Sequence, residues 1–207
     1  MIMKLSLYVL AFALLTSCGE SKQTTKNAAN TTAEATTTNE TTTTTVTTNT
    51  KVETKAKSNM QEGMLVGEFI KADLEQEAFA SWFNSGYSSY SPSEEAMNTI
   101  KKNISDYEIV AFMGTWCPDS RRETPKVFKI LDEAGYDMSK LTFYGVNRQK
   151  STNENIEKDF DLNRVPTVIF LKDGKEVNRF VEYPRETIEE DFAKIVSGKE
   201  YKNSYAE

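Results

Sequence analysis

Trp116-Cys117-Pro118-Asp119-Ser120 is the stretch that decides how this chain folds. Before it runs the apolar segment Ile109 to Met113, which predicts a strand buried on both faces. After it, Val127, Phe128, Ile130 and Leu131 recur at helical spacing, and Gly135 supplies a stop, which predicts a helix from Pro118 to Ala134. Cys117 therefore falls at the turn between strand and helix. It takes the cap position, with Pro118 at the first helical position, where a missing N–H does no harm. Unpaired backbone donors and the helix dipole then face the sulfur and favour its thiolate. Arg121 and Arg122 in the first turn add to that field, and Asp119 opposes it. The competing reading of Cys117 is a buried, inert small hydrophobe.

The pattern around this turn predicts one domain of 147 residues, 61–207. Leu65 to Phe69 reads as a first strand. Leu74, Ala78, Phe79 and Trp82 predict a helix over Asp73 to Phe83. Asn84 to Tyr90, rich in Ser and Gly, reads as a loop. Ser93 is an N-cap for a helix through Met97 and Ile100. Leu141 to Val146 reads as a strand and Glu154 to Phe160 as a short helix. Thr167 to Leu171 and Glu176 to Val181 flank Asp173-Gly174, a hairpin signal. Thr187 to Val196 carries Ile188, Phe192 and Ile195 on one face, a last helix. The polar tail after Gly198 is expected to fray. The aromatic segment Phe79 to Tyr90 reads as core in preference to a partner surface, and Arg148, Lys150 and Arg164 as solvated side chains.

From Ile109 onward the order is strand, helix, strand, helix, hairpin, helix. With Trp116-Cys117-Pro118-Asp119-Ser120, that order resembles the thioredoxin superfamily, from about Leu65 to Val196. Pro125, five positions after Ser120, stands where thioredoxins carry a helix-kinking proline. Val165-Pro166-Thr167 is similar to the family's cis-proline loop. The resemblance implies an α/β, thioredoxin-like fold: a central mixed sheet flanked by helices, with an N-terminal helical extension. It also implies Cys117 as nucleophile, Trp116 and Pro118 beside it against the substrate, and Val165, Pro166 and Thr167 as a platform for an extended peptide.

Ser120 departs from the family pattern, because two-cysteine members carry their second cysteine there. A hydroxyl cannot attack a mixed disulfide, but it can donate a hydrogen bond to the Cys117 thiolate. Exchange at Cys117 would stop at the mixed disulfide until an outside thiol resolves it. Ala111 stands where many thioredoxins bury an acid that takes the proton of the second thiol, so both departures agree. Three functions remain open at this point. One is monothiol thiol–disulfide exchange. Another is a non-catalytic module that binds or holds a partner through the same surface. The third is a thiol sensor, with Cys117 oxidised to sulfenic acid.

The chain's other cysteine is Cys18. Lys4 followed by the apolar run Leu5 to Leu15 predicts a targeting signal over residues 1–17, too short to span a bilayer. Leu15-Thr16-Ser17-Cys18 resembles a bacterial lipobox, which implies a lipidated Cys18 and a membrane anchor. The alternative is an ordinary secretory signal with a chance cysteine. Of residues 21–60, sixteen are Thr and none is Gly, Pro, Leu, Ile, Phe, Tyr or Trp. With so little apolar surface, residues 18–60 predict a disordered tether. Forty such residues reach on the order of 130–140 Å when drawn out. The expected location is a bacterial cell envelope, with the domain in the periplasm or at the outer surface. Its expected partners are cysteine-containing envelope proteins or small thiols.

Composition excludes several classes. Residues 61–207 hold nineteen basic against twenty-seven acidic side chains, a net charge of −8 that suits no nucleic-acid backbone. There is no His, so neither a zinc site of thiolates and imidazoles nor a Ser-His or Cys-His hydrolase can be built. No metal and no cofactor is implied.

Overall fold

The computed structural model describes residues 58–206. The expectations for the signal, for Cys18 and for the threonine-rich stretch up to residue 57 lie outside the described residues. Six strands make one sheet: β1 (Asn59–Gln61), β2 (Met64–Phe69), β3 (Glu108–Met113), β4 (Leu141–Gly145), β5 (Thr167–Lys172) and β6 (Lys175–Val181). Their spatial order is β1-β2-β4-β3-β5-β6. Helices α1 (Lys71–Leu74), α2 (Glu77–Ser89) and α3 (Glu94–Asn103) lie in sequence between β2 and β3. Helices α4 (Pro118–Ala134) and α5 (Ile188–Val196) follow β3 and β6.

Only β3 and β4 run parallel, joined through α4; the other pairings are antiparallel. The sheet is thus the expected mixed one. Ile109, Ala111, Phe112 and Met113 on β3 are all fully buried, as the unbroken apolar run requires. One side of the sheet packs on α2, α4 and α5 through aromatic rings. Phe83 meets Phe128 at 5.7 Å, Phe128 stacks on Phe143 at 5.2 Å, and Phe170 meets Phe192 at 5.0 Å between centroids. Each such side chain contributes roughly 1.5–3 kcal/mol by leaving water.

The chain departs from the sequence expectations in five places. Asn59 and Met60, assigned to the tether, pair with Val66 and Leu65 as the sheet's first strand. The helix expected over Asp73 to Phe83 is broken: Asp73 caps α1 by accepting from the Ile70 N–H at 2.9 Å, and α2 restarts after Gln76. Asn84 to Tyr90 is not a loop, because α2 continues to Ser89. The small residues there let two helices approach: a Cβ on Gly86 would stand 3.0 Å from Cγ of Pro125. Residues Ile156–Phe160 form a 3-10 helix, bounded by Asn155 and Asp161 at φ 58° and 48°. The tail does not fray: Tyr201 is 9% exposed, and its hydroxyl donates to Asp191 Oδ2 at 3.0 Å.

Other expectations hold. Ser93 Oγ accepts from the Ala96 N–H at 3.3 Å and caps α3. Gly135 ends α4 in the left-handed conformation. Phe79 and Phe83 of the aromatic segment are core, with Trp82 packed against them. Among the described residues no helix is long and apolar enough to cross a membrane.

Candidate active site

Strand β3 ends at Met113, and residues 114–117 turn the chain into α4. Three bonds close that turn. The Cys117 N–H donates to the Gly114 carbonyl at 2.9 Å, and the Arg121 N–H donates to the Cys117 carbonyl at 3.0 Å. The Gly114 N–H donates to Ser120 Oγ at 3.1 Å. Thr115, also buried, accepts from the Leu65 N–H through Oγ1 at 3.2 Å and ties the turn to β2. Cys117 is the N-cap of α4, at φ −89° and ψ 125°, with Pro118 exposed at the first helical position. The sulfur therefore has the helix N-terminus behind it, as its neighbours in sequence predict.

Across from the turn, the Val165–Pro166 peptide is cis. Cys117 Sγ donates to the Val165 carbonyl at 3.4 Å, which unites the two motifs that lie 48 residues apart. The thiol is 7% exposed and borders an apolar cluster of Phe112, Val146, Val165 and Ile169. Trp116 forms one wall, its Nε1–H donating to the Val146 carbonyl at 2.9 Å. Arg148 is not merely solvated: its guanidinium stands 5.7 Å from the Trp116 ring centroid.

The expected platform is only partly available. Val165 meets the thiol through its carbonyl, Pro166 is buried, and Thr167 is in register with Phe112 and Val181 in the sheet. Its hydroxyl donates to the Arg164 carbonyl at 2.8 Å. The Pro166 carbonyl accepts from the Glu182 N–H at 2.7 Å.

Three expected thiolate stabilisers, Ser120, Arg121 and Arg122, are turned elsewhere. Ser120 is fully buried, and its described hydrogen bond is to Gly114; among the described residues no hydrogen bond joins it to Cys117. Arg121 donates through Nε to the Thr115 carbonyl. Arg122 pairs with Asp119 at 2.6 Å and with the buried Glu123. Carbonyl and carboxylate acceptors thus engage both guanidiniums. Gly114 and Glu182 are site residues that the motif alone leaves unmarked. The signal for Gly114 was its place two residues before a tryptophan. Among the described residues no group of three His, Cys, Asp or Glu is gathered for a metal ion.

Residues 63–194 match the family model described as thioredoxin. The chain belongs to the thioredoxin family. This thioredoxin-family chain is 30% identical over 105 residues to the TPR repeat-containing thioredoxin TDX of Arabidopsis thaliana, a match covering 51% of the chain and 26% of that protein. The chain thus spans about a quarter of that relative's length. It is 28% identical over 88 residues to a thioredoxin of Mycolicibacterium smegmatis, covering 42% of the chain and 76% of the relative. Among solved structures it is similar to Fasciola hepatica thioredoxin, at 31% identity, with 41% of this chain and 75% of that one covered and a TM-score of 0.29. Family membership carries the α/β thioredoxin fold.

Proposed function

We propose that this protein is an envelope-facing, lipid-anchored thioredoxin-like protein that performs monothiol thiol–disulfide exchange through Cys117. The observation that carries the proposal is the sulfur at the α4 N-cap, 3.4 Å from the Val165 carbonyl. The nucleophile is the thiolate, formed when Sγ–H leaves the Val165 carbonyl and gives its proton to water. The thiolate attacks one sulfur of a substrate disulfide. A Cys117–substrate S–S bond forms, the original S–S bond breaks, and the departing sulfur leaves as a thiolate that water protonates. Ser120 provides no second thiol, so an external thiol attacks the mixed disulfide and one of its two sulfurs leaves. Ser120 contributes by joining the first turn of α4 to Gly114, which holds Cys117 between them. Substrates are cysteine-containing envelope proteins or small disulfides.

One observation favours a second reading. A thiol 7% exposed leaves an incoming disulfide little access, which suits a module that holds a partner without reacting. The experiment is incubation of the full chain with a cystine peptide, followed by mass analysis. Exchange gives an adduct that reductant removes and that Cys117→Ser lacks. Absence of any thiol-dependent adduct overturns the exchange reading and favours the holding module. Membrane anchoring is tested separately: Cys18→Ser releases the protein from membranes, and unchanged partition refutes the anchor.

A further inference from the structure

The segment after Gly198 runs back over the domain and reaches the loop that faces Cys117. Asn178 Nδ2 donates to the Tyr201 carbonyl at 3.0 Å, and Ser204 Oγ donates to the Tyr183 carbonyl at 2.7 Å. Beyond these ties, the Tyr205 hydroxyl donates to Glu182 Oε2. The Arg164 guanidinium lies 3.8 Å from the Tyr205 ring centroid, and its Nη1 pairs with the same Glu182 oxygen at 3.2 Å. Tyr205, Arg164 and Glu182 thus make a closed triangle.

Two corners of that triangle are built into the site. Arg164 immediately precedes Val165, the acceptor of the Cys117 thiol, and its carbonyl is held by Thr167. Glu182 binds the Pro166 carbonyl through its own N–H. Glu182 has φ 64°, a left-handed conformation that non-glycine residues seldom take. At that bend its backbone meets Pro166 while its carboxylate meets Arg164 and Tyr205. The loop is therefore held from its flanking residue and from a backbone carbonyl, and Tyr205 touches both holders. Arg164 and Tyr205 are both exposed. Exposed ion pairs and cation–π contacts contribute little to folding. Their effect is local, and here it falls on the loop beside the thiol.

We propose that Tyr205 is a positioning residue for exchange at Cys117. Through Arg164 and Glu182 it fixes the loop from Arg164 to Thr167, so that a cysteine-bearing polypeptide lies against this loop with its disulfide in line with the sulfur. The inference rests on the exchange reading above. It separates two substrate classes: a polypeptide disulfide uses the loop, and a small neutral disulfide does not.

The test compares the full chain with Tyr205→Phe and Tyr205→Ala. The rate of mixed-disulfide formation is measured with a cystine peptide and with hydroxyethyl disulfide, alongside melting temperature. Tyr205→Ala slows the peptide reaction by about tenfold, within the range that small misalignments produce, while hydroxyethyl disulfide changes less than about twofold, the scale of access alone. Tyr205→Phe keeps the ring under Arg164 and falls between. An unchanged peptide rate in Tyr205→Ala overturns the clamp and leaves exchange intact. Equal slowing of both disulfides also overturns it, because that is general damage to the site. Wild-type protein that reacts with neither disulfide overturns the exchange reading and the clamp with it.

Discussion

The indole of Trp116 occupies the space that a side chain at Gly114 would need. A Cβ on Gly114 would stand 2.6 Å from Cε2 and 2.7 Å from Nε1 of that ring. No relaxed contact is so short, so Gly114→Ala must displace the ring and strain its bond to the Val146 carbonyl. We expect a loss of about 1–3 kcal/mol in stability, the usual scale of overpacking, measured from urea midpoints. The double variant Gly114→Ala with Trp116→Phe recovers part of the loss, since a smaller ring gives way more easily. A double variant at least as unstable as the sum of the singles contradicts this account.

Ser120→Cys is expected to close a disulfide with Cys117. The two positions flank the first turn of α4, and the introduced thiol would be buried beneath the cap. Before oxidation the variant is less stable by about 1–3 kcal/mol, because sulfur is a poor acceptor for the Gly114 N–H. Closure gives dithiol reductase activity where the parent has none. Adding Ala111→Asp speeds it by restoring a proton acceptor, with burial of the acid on β3 costing roughly 2–7 kcal/mol. Thiol counting and intact mass decide the matter. Two free thiols after oxidation mean that the turn lacks thioredoxin geometry.

Glu189 and Asp191, neighbours on α5, make opposite contributions to acid stability. Burial raises the Glu189 pKa, but hydrogen bonds from Tyr90, its own backbone and the Ser93 N–H outweigh that and hold it below the usual 4.5. Its anionic form therefore stabilises the fold above the ordinary range and loses that effect as pH falls through the lowered value. Glu189→Gln is destabilising at neutral pH, with the gap narrowing in acid. For Asp191, burial dominates and raises the pKa above 3.8 despite the bonds from the Arg185 N–H and Tyr201. Its ionisation opposes folding as pH rises. Asp191→Asn gains on the parent between acid and neutral pH. Denaturant midpoints across that range check both signs, and parallel curves for either variant contradict its assignment.

Strands β2 to β6, the Cys117 turn and the last helix are legible because each depends on local pattern. Five apolar residues from Ile109 to Met113 have one good solution, and Asp173-Gly174 admits a hairpin. What escaped depends on contacts distant in sequence. Gly86 reads as loop until Pro125 is brought against it, when a missing side chain becomes a packing feature. Tyr201 and Tyr205 read as a polar tail until Asp191 and Glu182 supply acceptors for their hydroxyls. Ser120 reads as a partner for the thiol until the Gly114 N–H, six residues back, takes its oxygen. The arginines of the first turn illustrate the same limit. Their charge is plain in the sequence, but which acceptor captures it is not.

The chain's two tryptophans, Trp82 and Trp116, both border the start of α4. Trp116 is the residue before the thiol, and Trp82 lies 5.9 Å from the Arg121 guanidinium in the first turn. All indole emission from the molecule therefore originates beside one helical turn. The protein carries its own optical reporter of what happens at Cys117. A sulfur–sulfur bond formed there is expected to change the Trp116 emission, so adduct formation and its reversal can be followed by light on the unlabelled protein, with Trp116→Phe leaving the Trp82 signal alone as the reference.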